Sequence, residues 1–350
     1  MGGAALLAKT RDWGHVIGKR IIRDVFSDNG ILLVPISSII TREQIMILEK
    51  HGIELTAQDV VSIGPYSENE SFVHTQIIND TVTEISRLFE GIRTTKEVPI
   101  AELRRSVIPI VQEIASKETP LIGLFASLQA KDDYIYRHHI AVGIYACLIG
   151  GWMGLDRQEQ LQLTTAALLH DIGKMLIPEE LLQKPGKLTA EEYAIMKSHT
   201  VLGYELLKKT VGVTHRQALV ALQHHERMDG GGYPLGLTHD KIERFSRITS
   251  VADRFHAMTS RRAYQDPLPF YEVLFQIEKD SFGELDPVIT RLFVEKMMNA
   301  LIGRSVLLTD GREGVVLMVQ AQNLGQPLIQ AEDRFIDLSR EPAIRIEQIL

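Results

Sequence analysis

The sequence contains a single cysteine and no long apolar run. Cys147 has no partner for an internal disulfide and no neighbouring thiols with the spacing of a zinc site. No window supplies the roughly 20 apolar residues that a membrane-spanning helix requires. The N-terminal apolar stretch is too short for a signal-peptide core, and Leu6 fails the Ser/Thr requirement of a myristoylation motif. We therefore expect a soluble, cytoplasmic protein.

Positive charge is not in excess either. Lysine and arginine number 38 against 45 aspartates and glutamates, which gives a formal net charge of −7. This balance argues against a protein that binds bulk nucleic acid or an anionic membrane, so any phosphate must be bound by local cations. Hydrophobic residues at 45% and charged residues at 24% are typical of a globular chain and exclude collagen-like or disordered proteins.

Residues 1–66 predict a small mixed α/β module. Two β-rich runs, at 21–26 and 31–34, flank an Asp-Asn-Gly turn that ends at Gly30 and favours a hairpin. A helix with a capping box is predicted to begin at Thr41. The chain is long enough for one large domain to follow this module.

The rest of the chain is predicted to be mainly helical. Residues 67–119 have the apolar spacing of connecting helices, and residues 120–302 predict an all-α domain. Turns within that domain are predicted at Gly150-Gly151, Lys184-Pro185-Gly186, Gly230-Gly231-Gly232 and Asp266-Pro267. Residues 303–350 contain short β runs with a hairpin turn at Asp310-Gly311 and predict a β-rich appendage. The fold class is therefore mainly α, with a small α/β module before the helical domain and a short β-rich segment after it.

Histidine and aspartate occur together near the ends of apolar helices in the helical domain. The informative residues are His138, His170, Asp171, His199, His224, His225 and Asp253. A lone histidine on an apolar helix is more often a core or surface residue than a ligand. Five histidines with two aspartates and no thiolate form a nitrogen and oxygen set that suits Fe, Mn or Zn. The remaining histidines are expected at the surface, except His139, which we expect to point elsewhere on its helix; the surface set is His15, His51, His74, His215 and His239.

The adjacent pair His170-Asp171 has a geometric consequence. It is predicted at the end of a buried helix, packed through Leu161 and Leu168, that stops near Gly173. Neighbouring helical residues point about 100° apart, so the two side chains cannot share one environment. Two metal ions satisfy this geometry, because the two carboxylate oxygens can bridge both ions while the histidine binds one. A second adjacent pair, at 224–225, can close around the second ion.

Four segments carry a family resemblance. HDIGK (170–174), MKSHTVLGYELL (196–207), HHERMDGGGYPLGL (224–237) and SVADRFHAMTSRRAY (250–264) resemble, in order and spacing, the HD-GYP family. This family is the cyclic di-GMP phosphodiesterase branch of the HD metal-dependent phosphohydrolases. The match covers about half of the chain, and the four motifs together are specific where a lone HD dipeptide is not. The resemblance implies an HD-type helical core that binds cyclic di-GMP over two divalent ions, Fe or Mn first and Zn, Ni, Co or Mg as alternatives.

The resemblance also implies roles for individual residues. It makes metal ligands of His138, His170, Asp171, His199, His224, His225 and Asp253, with Asp171 as the bridging carboxylate. Lys174 matches a lysine that contacts the scissile phosphate, and Arg262 matches a phosphate-binding arginine. The substrate pocket is shaped by Gly232, Tyr233 and Pro234. For Gly230 and Gly231 a plain glycine-rich turn is at least as good an interpretation.

The expected chemistry is hydrolysis of a phosphodiester. A two-metal centre can supply a bridging hydroxide and clamp the phosphate oxygens, while Lys174 and Arg262 add charge-assisted hydrogen bonds. Three-metal members of the family have a glutamate four residues before the first histidine ligand, where this chain has Tyr134. We therefore expect two ions and linear pGpG as the main product, with further cleavage to GMP left open. Asp133 is expected to face solvent.

Departures from the family pattern keep two alternatives open. Ala263 and Gln265 follow the TS pair where the family commonly has proline and a basic residue, and His256 stands where it usually has a second aspartate. One alternative is a catalytically quiet receptor for the dinucleotide. The other is an HD phosphohydrolase that acts on another cyclic dinucleotide. No bulk nucleic acid or membrane partner is expected, whereas a homodimer and an unidentified ligand or protein at the N-terminal module stay open.

Overall fold

The structure is a computed structural model of the chain. It describes residues 13, 16–17, 19–34, 38, 40, 42–56, 58–61, 68–116, 121–128, 133–184, 186–260, 268–332 and 334–350. Two compact units are present, one formed by Met1–Pro65 with Leu301–Leu350 and the other by Tyr66–Ala300. The predicted mainly α fold class, with small sheets toward both ends of the chain, is confirmed.

The first part of the smaller unit contains short strands and one helix. Its elements are β1 (Arg20–Ile21), β2 (Val25–Phe26), β3 (Leu32–Val34), α1 (Arg42–Lys50) and β4 (Val60–Val61). The predicted hairpin is confirmed, because β2 pairs with β3 in antiparallel fashion and Gly30 has a positive φ of 76° in the turn. The run at 21–26 is split, since Ile21 pairs with Val60 of β4 before the chain bends into β2. Thr41 lies outside the described residues.

The last part of the chain forms a five-stranded antiparallel sheet. Its strands are β5 (Ser305–Leu308), β6 (Glu313–Gln320), β7 (Asn323–Ala331), β8 (Arg334–Asp337) and β9 (Ile346–Ile349), in the spatial order β8-β7-β6-β5-β9. The predicted turn is confirmed by Gly311, whose φ is 86°. Two strands were not predicted. β7 contains Gly325 and Pro327, which are rare inside strands, and β9 is short and half polar.

The larger unit is helical. Its helices are α2 (Glu68–Thr95), α3 (Ile100–Ser106), α4 (Ile108–Ser116), α5 (Leu121–Leu128), α6 (Tyr134–Trp152), α7 (Arg157–Leu168), α8 (Glu179–Leu182), α9 (Ala190–Lys197), α10 (His199–Lys209), α11 (His215–Gln223), α12 (Arg244–Thr259), α13 (Phe270–Asp280) and α14 (Pro287–Asn299). A 3₁₀ helix, Ile172–Leu176, follows α7, and a second one, His239–Lys241, precedes α12. No helix among the described residues is both long and apolar enough to cross a membrane.

The turn predicted at Gly150-Gly151 is wrong. Helix α6 continues through both glycines, and the chain turns later, at Gly154 with a φ of 72°. A Cβ atom on Gly150 would lie 2.8 Å from Leu163 Cδ2, so this glycine permits two helices to pack closely. Leu161 was also misplaced, because its side chain is 39% exposed while α7 buries Leu163.

The other predicted turns of the helical domain differ in how much of them is described. Gly186 has a φ of 97° and takes part in a turn, whereas Pro185 lies outside the described residues. The segment 230–232 belongs to a loop between α11 and α12. The turn predicted at Asp266-Pro267 lies within 261–267, outside the described residues.

Candidate metal centre

The seven predicted ligands converge on one point of the helical unit. His138 lies on α6, the pair His170-Asp171 lies between α7 and the 3₁₀ helix, His199 begins α10, His224 and His225 follow α11, and Asp253 lies on α12. Asp171 is buried, and so are four of the five histidines, whereas His225 and Asp253 are partly exposed. Side chains from five separate segments therefore meet in a largely buried site.

Asp171 lies between two groups of donor atoms. Its Oδ1 atom is 3.1 Å from His199 Nε2 and 3.4 Å from His224 Nε2. Its Oδ2 atom is 3.3 Å from His170 Nε2 and 3.5 Å from His138 Nε2. We call these the His138 group (His138, His170 and Asp171) and the His199 group (Asp171, His199, His224 and His225). The two oxygens of one carboxylate thus serve two different groups.

Asp253 provides a second carboxylate between the groups. Its Oδ1 atom is 3.0 Å from His138 Nε2 and 4.0 Å from His170 Nε2. Its Oδ2 atom is 3.9 Å from His225 Nδ1. Asp253 therefore contacts the His138 group closely and also faces a member of the His199 group.

The residues present fit divalent metal ions. His170 Nε2 and Asp171 Oδ1 are buried and make no hydrogen bond within the described part of the chain. Buried polar atoms without partners cost free energy, and a bound cation would satisfy both of these. Donor atoms that share an ion with bonds of about 2.0–2.2 Å lie roughly 3 Å apart, as these donors do. Imidazole and carboxylate ligands without thiolate suit Fe, Mn or Zn.

Several of the predicted ligand histidines are held in the form that can bind a metal ion. Three of them place Nδ1 near a backbone carbonyl oxygen: His170 near Ala167 (2.8 Å), His199 near Met196 (2.7 Å) and His224 near Val220 (3.0 Å). A carbonyl only accepts, so Nδ1 donates and the Nε2 lone pair faces the site. Burial lowers the pKa of His170 and His199, and burial together with His224 holds the pKa of His225 well below its ordinary value. Neutral imidazoles, the ligating form, are therefore favoured.

Both aspartates are held as carboxylates. Burial alone would raise the pKa of Asp171, but Lys174 and His170 outweigh burial and hold it well below its usual range. For Asp253, the neighbouring histidines, His138 first and then His225, outweigh burial, and the pKa of this carboxyl is also well below its ordinary value. The site therefore presents two anionic and several neutral ligands, which complements a divalent cation.

Lys174 lies at the edge of the cluster. Its Nζ atom is 2.5 Å from Asp171 Oδ2, and its side chain is partly exposed to a cleft of about 550 Å³ that opens onto the ligands. Burial alone would lower the pKa of Lys174, but Asp171 outweighs it and raises that pKa, so the side chain is a cation. The predicted phosphate ligand Arg262 lies outside the described residues, as do Ala263 and Gln265.

The Gly-Tyr-Pro segment forms one wall of the cleft. A Cβ atom on Gly232 would lie 2.4 Å from Arg227 N and 2.5 Å from His225 O, so only glycine allows this approach of two backbones. The Tyr233 ring stacks on His225 with centroids 4.8 Å apart. Pro234 is exposed and follows Tyr233 directly. The loop thus packs on a predicted metal ligand.

Sequence reasoning missed several residues of this wall. Glu226 is buried, and its two carboxylate oxygens accept hydrogen bonds from Leu235 N (2.7 Å) and Leu237 N (2.8 Å). Its position directly after His224-His225 was the signal that could have identified it. Arg254 and Tyr193 also line the cleft, but in sequence a single arginine or tyrosine looks like an ordinary surface residue.

The structure also describes the residues that neighbour the predicted ligand His138 in sequence. The ring of Tyr134 stacks on His138 with centroids 5.5 Å apart. Asp133 pairs with Arg137 at 2.8 Å and lies outside the ligand groups. His139 is buried with Nδ1 2.7 Å from Leu168 O, and although its ring lies 5.5 Å from that of His170, it belongs to neither ligand group.

The predicted surface histidines are partly described. The side chains of His51, His215 and His239 are exposed, which confirms their prediction. Those of His15 and His74 lie outside the described residues.

The chain is similar to a known family and to several known proteins. The HD domain family profile matches residues 110–289. The chain is 32% identical over 243 residues to the cyclic di-GMP phosphodiesterase PA4108 of Pseudomonas aeruginosa, covering 69% of this chain and 58% of that protein. It is 34% identical over 239 residues to the 3'3'-cGAMP-specific phosphodiesterase 3 of Vibrio cholerae, covering 68% of this chain and 51% of that protein. The chain thus spans a little over half the length of these curated relatives.

A solved structure shares the fold. Bd1817, an HDG"Y"P protein from Bdellovibrio bacteriovorus, superimposes with a TM-score of 0.52 at 16% identity, covering 80% of this chain and 96% of that one. At this identity the similarity concerns the fold alone. The profile match extends over more than half of the 350 residues and includes all seven predicted ligands. The chain therefore belongs to the HD domain family.

Proposed function

We propose that this chain is a metal-dependent phosphodiesterase that hydrolyses cyclic di-GMP to linear pGpG. The observation that carries the proposal is the position of Asp171, whose two oxygens face two separate groups of histidines, several of which line an open cleft. A carboxylate shared in this way is typical of centres that hold two metal ions. We assign the activity to residues 120–302, with 1–66 and 303–350 as attached modules.

The ligand cluster would hold two divalent ions, Fe or Mn by preference. His138, His170 and Asp253 would hold one ion, His199, His224 and His225 the other, and Asp171 both. When bound, such a pair supplies a hydroxide nucleophile at neutral pH and neutralises phosphate charge. We propose two ions and not three. A third ion would need a carboxylate ligand beside His138, but the residue that stacks on His138 there is Tyr134, whose neutral phenol is a poor ligand.

The chain's own contribution to the reaction is orientation and charge. Lys174 presents an ammonium group to the cleft beside Asp171 and can donate a charge-assisted hydrogen bond to a non-bridging phosphate oxygen. That bond strengthens as negative charge develops on the phosphate. Tyr193 and Tyr233 line the same cleft and offer aromatic faces to the purine bases of a dinucleotide.

A second candidate substrate is 3'3'-cGAMP. The named activity of the Vibrio cholerae relative favours it, since the two alignments cover similar shares of this chain at similar identity. The two dinucleotides differ in one purine base and share both phosphodiesters. The choice between them therefore depends on how the walls of the cleft contact that base.

The test is turnover of both dinucleotides by anaerobically prepared protein loaded with Fe²⁺, Mn²⁺ or Zn²⁺. Product chromatography should show pGpG from cyclic di-GMP, with faster turnover of cyclic di-GMP than of 3'3'-cGAMP. Removal of the metal by a chelator should abolish the reaction, and re-addition should restore it. Tight binding of cyclic di-GMP without any product would support a receptor instead and contradict the proposal.

A further inference from the structure

We propose that His256 is a positioning residue that holds His138 in the tautomer required for metal ligation, with the Leu128 carbonyl fixing the direction of the hydrogen-bond chain. His256 lies on α12 and is 1% exposed. It belongs to neither ligand group. The inference rests on the proposed metal centre and is independent of the substrate.

The two imidazoles meet through their Nδ1 atoms. His138 Nδ1 lies 2.9 Å from His256 Nδ1, a distance at which one nitrogen donates and the other accepts. His138 Nε2 faces Asp253 and Asp171, on the side where the ion would bind. Ligation through Nε2 requires its lone pair, so the proton of His138 must lie on Nδ1 and be donated to His256.

The contacts of His256 Nε2 decide which of the two Nδ1 atoms donates the hydrogen bond. His256 Nε2 is 3.3 Å from the Leu128 carbonyl oxygen, at the end of α5, and 3.0 Å from Ser260 Oγ. A carbonyl oxygen can only accept, whereas a hydroxyl can do either. A protonated Nε2 therefore satisfies both neighbours, while an unprotonated one would direct its lone pair at the Leu128 carbonyl. The proton on Nε2 leaves Nδ1 of His256 free to accept from His138.

Neighbouring side chains hold the hydrogen bonds between His138, His256 and the Leu128 carbonyl in place. On α6, which follows in sequence, Arg137 Nη1 lies 3.5 Å from the carbonyl oxygen of Ser127, the residue before Leu128. The Tyr134 ring stacks on both histidines, with centroids 5.5 Å from His138 and 6.3 Å from His256. The other histidines with an assigned second partner use a backbone carbonyl, so His138 differs in depending on a side chain that substitution can change.

The first measurement is the tautomer of His138 in metal-free protein, read from long-range ¹H–¹⁵N correlation spectra of the imidazoles. In the wild-type protein His138 should carry its proton on Nδ1. In His256→Leu, which has no acceptor, the proton should move to Nε2 and be donated to Asp253. In His256→Asn the amide oxygen can accept, so the Nδ1 proton should return. An Nε2 proton on His138 in the wild-type protein would overturn the proposal.

The second measurement is Mn²⁺ binding by equilibrium dialysis. Loss of an outer hydrogen-bond partner typically weakens metal affinity 10–100-fold. His256→Leu should weaken one of two sites by this factor and leave the other unchanged, and His256→Asn should recover most of the affinity. The matched control is Thr259→Val, since Thr259 lies on the same buried helix end but bonds only to backbone, and it should bind as the wild type does. Equal weakening of both sites, or unchanged binding in His256→Leu, would contradict the assignment.

Discussion

Asp171 is the residue on which both ligand groups depend. Each of its oxygens lies within 3.5 Å of two histidine Nε2 atoms, so its removal takes a ligand from both ions. We expect Asp171→Ala to lose bound metal and phosphodiesterase activity together. Metal analysis by mass spectrometry and a cyclic di-GMP assay on the same sample check this.

The matched control for Asp171 is Asp133→Ala. Asp133 is a nearby carboxylate at the start of α6 that pairs with Arg137 and belongs to neither ligand group. This variant should keep its metal. Full metal occupancy in Asp171→Ala would contradict the assignment of Asp171 as the shared ligand.

A substitution at Lys174 tests whether positive charge at the substrate can be removed without loss of bound metal. Its ammonium contacts Asp171 but supplies no lone pair, because its raised pKa keeps it protonated. Lys174→Ala should retain both ions and lower turnover by roughly 10²-fold, the usual loss when one preorganised contact to a transition state is removed. Lys184→Ala is the control, since Lys184 pairs with Glu192 and does not line the cleft. Equal turnover in the two variants would make Lys174 an ordinary surface charge.

Six of the seven proposed metal ligands belong to the four short motifs and could be proposed from sequence, whereas His138 lies before those segments. The four segments contain His170, His199, His224 and Asp253, and they can be identified from residue types and their order alone, without knowledge of the fold. Glu226 was missed because its function depends on the backbone amides of Leu235 and Leu237, which approach it only after the loop has folded. The role of His256 likewise depends on a contact across 118 residues of sequence.

At the scale of elements, the 3₁₀ helix after the HD pair packs directly on α10. A Cβ atom on Gly173 would lie 1.9 Å from His199 O and 2.6 Å from Gly203 N, both of them backbone atoms. We expect Gly173→Ala to lower the free energy of unfolding by about 1–3 kcal/mol and to weaken metal binding, because α10 must move and carries His199. Urea denaturation measures the first effect and Mn²⁺ dialysis the second.

The control for Gly173 is Gly91→Ala on α2. A Cβ atom there meets nothing within 4 Å, and alanine is favoured over glycine inside a helix by about 1 kcal/mol. Gly91→Ala should therefore be neutral or slightly stabilising. Wild-type stability in Gly173→Ala would show that the approach of these two elements is looser than the structure has it.

The loop that contains Tyr233 is anchored by Glu226. A glutamine at this position has one acceptor oxygen and must lose one of the two bonds to Leu235 N and Leu237 N. Glu226→Gln should lower stability by about 1–3 kcal/mol, raise KM for the dinucleotide, and leave metal content unchanged. Faster hydrogen exchange at either amide should accompany these changes. Glu205→Gln, at an exposed position on α10, is the control; unchanged exchange and KM in Glu226→Gln would contradict the anchoring role.

Element prediction succeeded where apolar periodicity is strong and failed where a residue serves packing. The helices of the larger unit follow the 3.6-residue repeat of their apolar positions. Gly150 looked like a turn residue but instead allows α6 to approach Leu163. The order of the five-stranded sheet could not be predicted, because β5 pairs with β9 across a long stretch of sequence and such pairings leave no local signal.

At the scale of the whole molecule, every ligand of the proposed centre comes from the unit Tyr66–Ala300. The family assignment predicted from the motifs is confirmed at the level of the HD domain. The sequence gives no chemical role to the unit formed by Met1–Pro65 and Leu301–Leu350, because its strands and its helix carry no motif with recognisable chemistry. The catalytic account therefore concerns the helical unit.

The central claim is that the chain hydrolyses cyclic di-GMP with two metal ions that share Asp171 as a ligand. The most direct test is the initial rate of pGpG formation measured against the number of Mn²⁺ ions bound per chain, from metal-free to saturated protein. The rate should lag behind binding of the first ion and reach its maximum at two ions per chain, with pGpG as the main product. A rate that saturates at one ion per chain, or the absence of hydrolysis at full occupancy, would contradict the claim.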